Sequence, residues 1–156
     1  MGIIISSFIG CGKTYLTNIN SGKIKIFDAS DINKESIVNE VMGNVDKYDI
    51  VFIPSDKEIR SLFDEQNIDY DLFYPSDNRR GEFIENQVRK RNKPDIIRNL
   101  DKNFNEWVQE IDDSEATNCY KHKLSNFGEY IGNNYAIMQY IDSIINNNNG
   151  DNNKTN

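Results

Sequence analysis

Apolar and polar positions along this chain follow two rhythms that take turns. Ile3, Ile4 and Ile5 form a β-type run, and Lys23-Ile24-Lys25-Ile26-Phe27 alternates with a period of two. Asp49-Ile50-Val51-Phe52-Ile53 is nearly continuous apolar sequence, the pattern of a strand buried on both faces. Asp69–Tyr74 and Cys119–Leu124 complete the predicted strands. Between them the spacing becomes helical: Tyr15–Asn20, Ile32–Val45, Lys57–Gln66, Arg80–Arg91, Asp95–Ile111 and Tyr130–Ile145. Ser21-Gly22, Pro54-Ser55-Asp56, Pro75-Ser76-Asp77 and Asn92-Lys93-Pro94 punctuate the series. Strands alternating with helices predict an α/β fold, a parallel sheet with helices on both faces in three layers. The Asn-rich segment Asn146–Asn156 has no apolar residue and is expected to be a disordered tail after a single domain over residues 1–145.

In such a fold, ligands sit outside the carboxyl ends of the strands. Gly10-Cys11-Gly12-Lys13-Thr14 follows the first strand and opens a helix. Glycines there let backbone N–H groups converge on an anion, the helix start adds positive potential, Lys13 adds a cation, and Thr14 offers a Mg²⁺ ligand. Ser7 stands where the full phosphate-loop pattern has its first glycine. Cys11 reads as a small residue inside the loop, with thiol oxidation the weaker alternative. Phe8 and Tyr15 flank the turn, within reach of a base.

After the second strand come Asp28, Ser30 and Asp31. A carboxylate there holds Mg²⁺ through water or accepts a proton from an attacking hydroxyl, whereas Asp31 also suits a helix N-cap. Ser55, Asp56 and Arg60 follow the third strand. Arg60 can reach an acceptor phosphate in a bidentate grip, or pair with Asp56 or Asp64 on the helix surface. At 100° per residue, Arg80 and Arg91 share the inward face with Phe83, Ile84, Gln87 and Val88, and Glu85 and Arg89 form an exposed pair. Trp107 and Phe104 read as core, and His122, the single histidine, as structural.

The chain has 156 residues and a formal net charge of −7, which argues against a nucleic-acid binder. Arg79 to Arg98 nevertheless holds seven Lys/Arg against three Asp/Glu, a basic island suited to one confined anion. There is no apolar run of membrane-spanning length and no signal-peptide pattern, so a cytoplasmic location without membrane contact is expected.

Gly10-Cys11-Gly12-Lys13-Thr14, the Asp28–Asp31 cluster and an arginine-bearing segment after the fourth strand together resemble the P-loop nucleoside and nucleotide kinases. The similarity is greatest to the small deoxynucleoside monophosphate kinase-like, adenylate kinase-like proteins of bacteriophages. Arg89-Lys90-Arg91-Asn92, followed by a helix ending Phe104-Asn105-Glu106-Trp107, is similar to a kinase lid and its following helix. The resemblance implies a sheet order of 2-3-1-4-5, a helical lid at about residues 77–94, and ATP with Mg²⁺ as cofactors. It implies that Ile9 to Tyr15 hold the donor nucleotide and that Thr14 and Asp28 hold the metal. Lys13, Arg80, Arg89, Arg91 and Asp28 would act in catalysis, and Asp28, Ser30, Asp31, Ser55 and Arg60 would bind the acceptor. The implied activity is phosphoryl transfer to a (deoxy)nucleoside monophosphate in a host cytoplasm, with a homodimer as one option for assembly. A nucleoside or other hydroxylated small molecule as acceptor, and a non-catalytic nucleotide-binding role, are the alternatives.

Overall fold

In the computed structural model, residues 2–20 and 22–154 are described. The element order is β1 (Ile3–Ser7), α1 (Lys13–Ile19), β2 (Ile26–Asp28), α2 (Ile37–Asn44), β3 (Ile50–Pro54), α3 (Lys57–Glu65), β4 (Tyr70–Pro75), α4 (Arg80–Arg89), α5 (Pro94–Asp113), β5 (Cys119–Leu124) and α6 (Tyr135–Lys154). The five strands form one all-parallel sheet in the order β2-β3-β1-β4-β5. With its six α-helices the chain is consistent with a three-layer α/β/α fold. Among the described residues, no helix is long and apolar enough to cross a membrane.

β1 occupies the middle of the sheet because its residues can be buried on both faces. Ile5 and Ser6 are fully enclosed, with Ile50–Ile53 on one side and Leu72–Phe73 on the other. The apolar stripes of α5 (Leu100, Phe104, Val108, Ile111) and α3 (Ile59, Phe63) close the core. A satellite pair, Nε2 of His122 and Oδ1 of Asp71 at 2.8 Å, lies on the β4–β5 side, with the imidazole stacked on Phe73.

Several boundaries differ from the sequence expectation: β2 is Ile26–Asp28 instead of Lys23–Phe27, α6 starts at Tyr135 instead of Tyr130, and three further differences have a visible cause. α2 starts at Ile37, not Ile32, because Ser30 and Asp31 are held in turns: the Ser30 N–H donates to Oδ1 of Asp28 at 3.0 Å, and Ile32 N–H to the Ala29 carbonyl at 3.1 Å. Asp31 is therefore an exposed turn residue and caps no helix. α4 ends at Arg89, so the helical face drawn through Arg91 does not exist. Arg91 instead has φ 54, and the N–H groups of Arg91 and Asn92 reach back to the carbonyls of Val88 and Gln87 at 3.0 and 3.1 Å. This is a Schellman ending with arginine in the left-handed position usually given to glycine. Finally, α6 carries on through Asn146 to Lys154, where composition led to an expectation of disorder: each added residue extends a helix already nucleated on buried Ile137 and Ile141. The last two positions of that segment lie outside the described residues.

One buried charge network ties α4 to the loop before α6. Arg79, in a 3₁₀ turn ahead of α4, forks onto Glu82 and donates through Nη1 to the carbonyls of Leu124 and Glu129 at 3.0 and 2.6 Å. Its guanidinium lies over the rings of Phe83 and Tyr130. Glu82 also accepts from the Tyr130 hydroxyl and the Gly128 N–H. The Arg79 hydrogen bond, helped by Tyr130 and Gly128, outweighs burial and holds the Glu82 carboxyl below its ordinary value of 4.5. A depressed folded pKa stabilises above 4.5 and is lost as pH falls further through the folded value. Acid titration followed by thermal melting will therefore show wild type losing stability below that point. Glu82→Gln will begin less stable at neutral pH and lack this part of the acid limb. Glu82→Ala, which strands the Arg79 charge, will cost about 3 kcal/mol or more.

Candidate functional site

The turn between β1 and α1 is built by its glycines in two ways. Gly10 and Gly12 take φ 88 and 96, which side chains rarely adopt. A Cβ on Gly10 would lie 3.1 Å from both Phe83 and Gln87 Nε2, and one on Gly12 would lie 3.2 Å from Tyr130. Ser7 needs no such freedom, because it is the last residue of β1 and pairs with both Pro54 and Phe73. The first N–H groups of α1 have no partner within the helix, and no side chain caps them.

Two side chains anchor this turn to the core. Phe8 is buried against Phe83, Phe104 and Trp107 in edge-to-face contacts at 6.3, 5.5 and 6.2 Å, and its N–H donates to the Phe73 carbonyl at 3.0 Å. Phe8 nevertheless forms part of the lining of the larger of the two hollows beside the turn. Cys11 is enclosed, its Sγ 3.6 Å from the Phe73 carbonyl, and burial pushes its thiol far above the ordinary value despite the nearby Arg79. The helix start does not activate it, so the oxidation-sensitive reading falls away.

Lys13 reaches across to the end of β2. Its Nζ donates to Ser30 Oγ at 2.7 Å and to Asp28 Oδ2 at 3.3 Å, with the Phe52 ring 5.9 Å away. Burial raises the Asp28 carboxyl, but hydrogen bonds from the Ser30 side chain and backbone and the charge of Lys13 outweigh it, leaving Asp28 below its ordinary pKa. Asp28 is an ionised clamp on Lys13. Thr14 is exposed in the first turn of α1, and Tyr15, also exposed, turns toward Gly132.

Two hollows meet at the turn. The smaller, about 210 Å³, is lined by Gly10, Cys11, Gly12 and Thr14 on one side and by Gln87, Lys90 and Asn92 on the other. The larger, about 920 Å³, is walled by Ser30, by Pro54 to Lys57 after β3, and by one face of α5: Ile96, Asn99, Asn103, Glu106, Trp107 and Glu110. Ser7, Ile9, Gly10 and Lys13 line both. Among the described residues, no group of three or more His, Cys, Asp or Glu side chains could hold a metal ion by itself. Of the two expected Mg²⁺ ligands, Thr14 lines the smaller hollow, whereas Asp28 lines neither and is engaged by Lys13 and Ser30.

The structure disperses the arginines. Arg60 is 3% exposed, ion-paired with Glu110 and bonded through Nε to the Ser55 carbonyl at 2.8 Å; its partner is neither Asp56 nor Asp64. It lies behind the large hollow and props Glu110 at its wall. Arg80 pairs with Asp101 on the outer side of α4 and α5, Arg89 with Glu85, and Arg91 is exposed on the Schellman turn. None of these four lines either hollow. In this structure each is engaged by a nearer carboxylate or carried outward by its backbone. Ser30 and Ser55 do line the cleft, whereas Asp31 does not.

Sequence reasoning missed Gln87, Lys90 and Asn92 at the small hollow and Asn99, Asn103, Glu106 and Glu110 at the large one. The α5 set was readable: 99, 103, 106 and 110 repeat at helical spacing as a polar stripe beside the apolar one. Trp107, expected in the core, is 38% exposed and forms part of the cleft wall. Compared with models of known protein families and with curated proteins, the chain matches none.

Two outcomes follow from these placements. Arg91→Gly will raise stability by roughly 0.5 to 1 kcal/mol in denaturant unfolding, because glycine relieves the left-handed strain, and it will leave ligand binding at the turn unchanged. Native protein treated with a thiol-reactive maleimide will leave Cys11 unlabelled until it is unfolded, as peptide mapping will show.

Proposed function

We propose that the protein transfers the terminal phosphoryl group of ATP to a small hydroxyl-bearing acceptor. One observation carries this reading: a strand–glycine turn–lysine–threonine segment at the carboxyl edge of a parallel sheet lies where a phosphate-sized hollow and a cleft of metabolite size share Lys13 and Gly10. A triphosphate whose tail fills the small hollow presents its last phosphorus to whatever occupies the cleft.

On this reading the turn N–H groups and Lys13 hold the phosphates, and Asp28 and Ser30 keep Lys13 in position. Thr14, with Asp28 acting through water, would hold Mg²⁺, which would supply neutralisation of the phosphate charge. An acceptor oxygen attacks the terminal phosphorus, the bond to the bridging oxygen breaks, and the electron pair leaves with ADP. The hydroxyl proton passes to a carboxylate, for which Asp56 on the cleft wall is the candidate.

The wall chemistry favours an uncharged acceptor over a monophosphate. Asp56, Glu106 and Glu110 face the cleft against Lys57. Lys13, which also lines it, is assigned on this reading to the nucleotide phosphates, and the buried guanidinium of Arg60 is already engaged by Glu110. An anionic acceptor would meet like charge there.

Protein incubated with Mg-ATP and a panel of nucleosides, monophosphates and polyols, with ADP release followed, tests this. Turnover with a hydroxyl acceptor is expected. Lys13→Ala will lower it by about a hundredfold or more, and Asp56→Asn will do the same while Mg-ATP binding persists. Turnover confined to monophosphates would replace the hydroxyl reading. Nucleotide binding without ADP release for any acceptor would leave a nucleotide sensor, and no binding of Mg-ATP at all would remove the whole proposal.

A further inference from the structure

Gln87 is the most confined polar side chain at the small hollow. It projects from α4, is only 4% exposed, and sits so close to the glycine turn that its Nε2 lies 3.1 Å from where a Gly10 Cβ would be. Its two amide ends are not equivalent. Oε1 accepts a hydrogen bond from Asn92 Nδ2 at 2.8 Å. Among the described residues, Nε2 donates to no protein acceptor, and as no enclosed side-chain nitrogen or oxygen lacks a partner, it opens onto the hollow that the side chain lines. An amide donor held at a hollow by an otherwise buried side chain is free to serve a ligand there.

The backbone fixes this asymmetry. The Schellman ending of α4 folds the chain back, so that the Asn92 N–H bonds the Gln87 carbonyl at 3.1 Å while the Asn92 side chain bonds the Gln87 side chain. Asn92 holds Gln87 at both its main chain and its amide. With Oε1 occupied, the NH₂ group can only face the turn. Lys90, the C-cap of α4, lines the same hollow from its rim.

We propose that Gln87 is an anion-contacting residue of the site, donating from Nε2 to a phosphate oxygen of the nucleotide seated on the Gly10–Thr14 turn, with Asn92 as the positioning residue that orients its amide. The inference rests on the phosphoryl-transfer reading for the identity of the anion. It gives α4 a role in recognition that its arginines do not have: a neutral donor, aimed by a second amide, takes the place of a guanidinium. A neutral amide also discriminates by geometry, since it rewards an oxygen at one point without attracting every anion that drifts near.

Equilibrium binding of Mg-ATP to the full chain, with melting temperature measured in parallel, tests the assignment. Gln87→Met, which keeps the length and removes the donor, is expected to weaken Mg-ATP binding by about tenfold, the usual loss for a hydrogen bond to a charged group. Gln87→Glu, which sets a carboxylate against phosphate, will weaken it further. Asn92→Ala, at a half-buried turn position that leaves Gln87 in place, will give a smaller loss in the same direction because the amide can then rotate. If Gln87→Met melts like wild type and binds Mg-ATP within twofold of it, the assignment is wrong. Should Gln87→Met fail to fold, unchanged binding by Asn92→Ala overturns the assignment instead. Failure of wild type itself to bind Mg-ATP would sink the parent reading, a result distinct from wild-type binding that Gln87 does not influence.

Discussion

The phenyl ring of Phe8 is the contact on which the site depends. It belongs to the glycine turn, yet it is buried, and the three rings around it come from α4 (Phe83) and α5 (Phe104 and Trp107). Edge-to-face pairs of this kind contribute about 0.5 to 1.5 kcal/mol each beyond their buried area. The effect is geometric as much as energetic. One residue fastens the turn to both helices that wall the two hollows, so the distance from turn to wall is set by core packing rather than by loop conformation. Interiors packed at crystal-like density transmit small displacements. The position of Gln87 and Trp107 relative to Gly10 is thus as well defined as the core itself.

Charge in this protein is divided between structure and chemistry. Arg79 and Arg60, both nearly sealed from solvent, are held by carboxylates and carbonyls and brace loops around the site. Arg80, Arg89 and Arg98 form ion pairs on the outer surface, where such pairs contribute little. The positive potential at the turn comes from Lys13, Lys90 and main-chain N–H groups, so a basic island in sequence does not become a basic site in space.

Much of the fold was legible because the signals were local. The strand rhythm of Ile3–Ile5 and Ile50–Ile53 and the stripe of Leu100, Phe104 and Val108 register burial directly, and β5 has the predicted limits. The glycine turn was legible because its chemistry is contiguous. What could not be read was partner choice. Nothing near Arg60 in sequence points to Glu110, fifty positions away, or near Arg79 to the Leu124 and Glu129 carbonyls. The late start of α2 was obscured because Ile32, Ile37 and Val41 keep helical spacing while Ser30 and Asp31 are drawn into a turn beside Asp28. The arginine face of α4 was cut short at its last member, because the left-handed Arg91 follows a helix that ends two residues before the wheel assumed.

The central place of β1 has a consequence for biosynthesis. This strand is made before β3 and β4, the neighbours it pairs with, and the Phe8 amide finds its acceptor only at Phe73. The aromatic partners of Phe8 come later still, from α4 and α5. Parallel pairings over such separations form slowly, since loop closure must precede the contacts that reward it. A nascent chain halted anywhere before α5 would carry Gly10–Thr14 without the surroundings that shape it. The turn would therefore take its final shape only once α5 has been made, long after its own residues are joined.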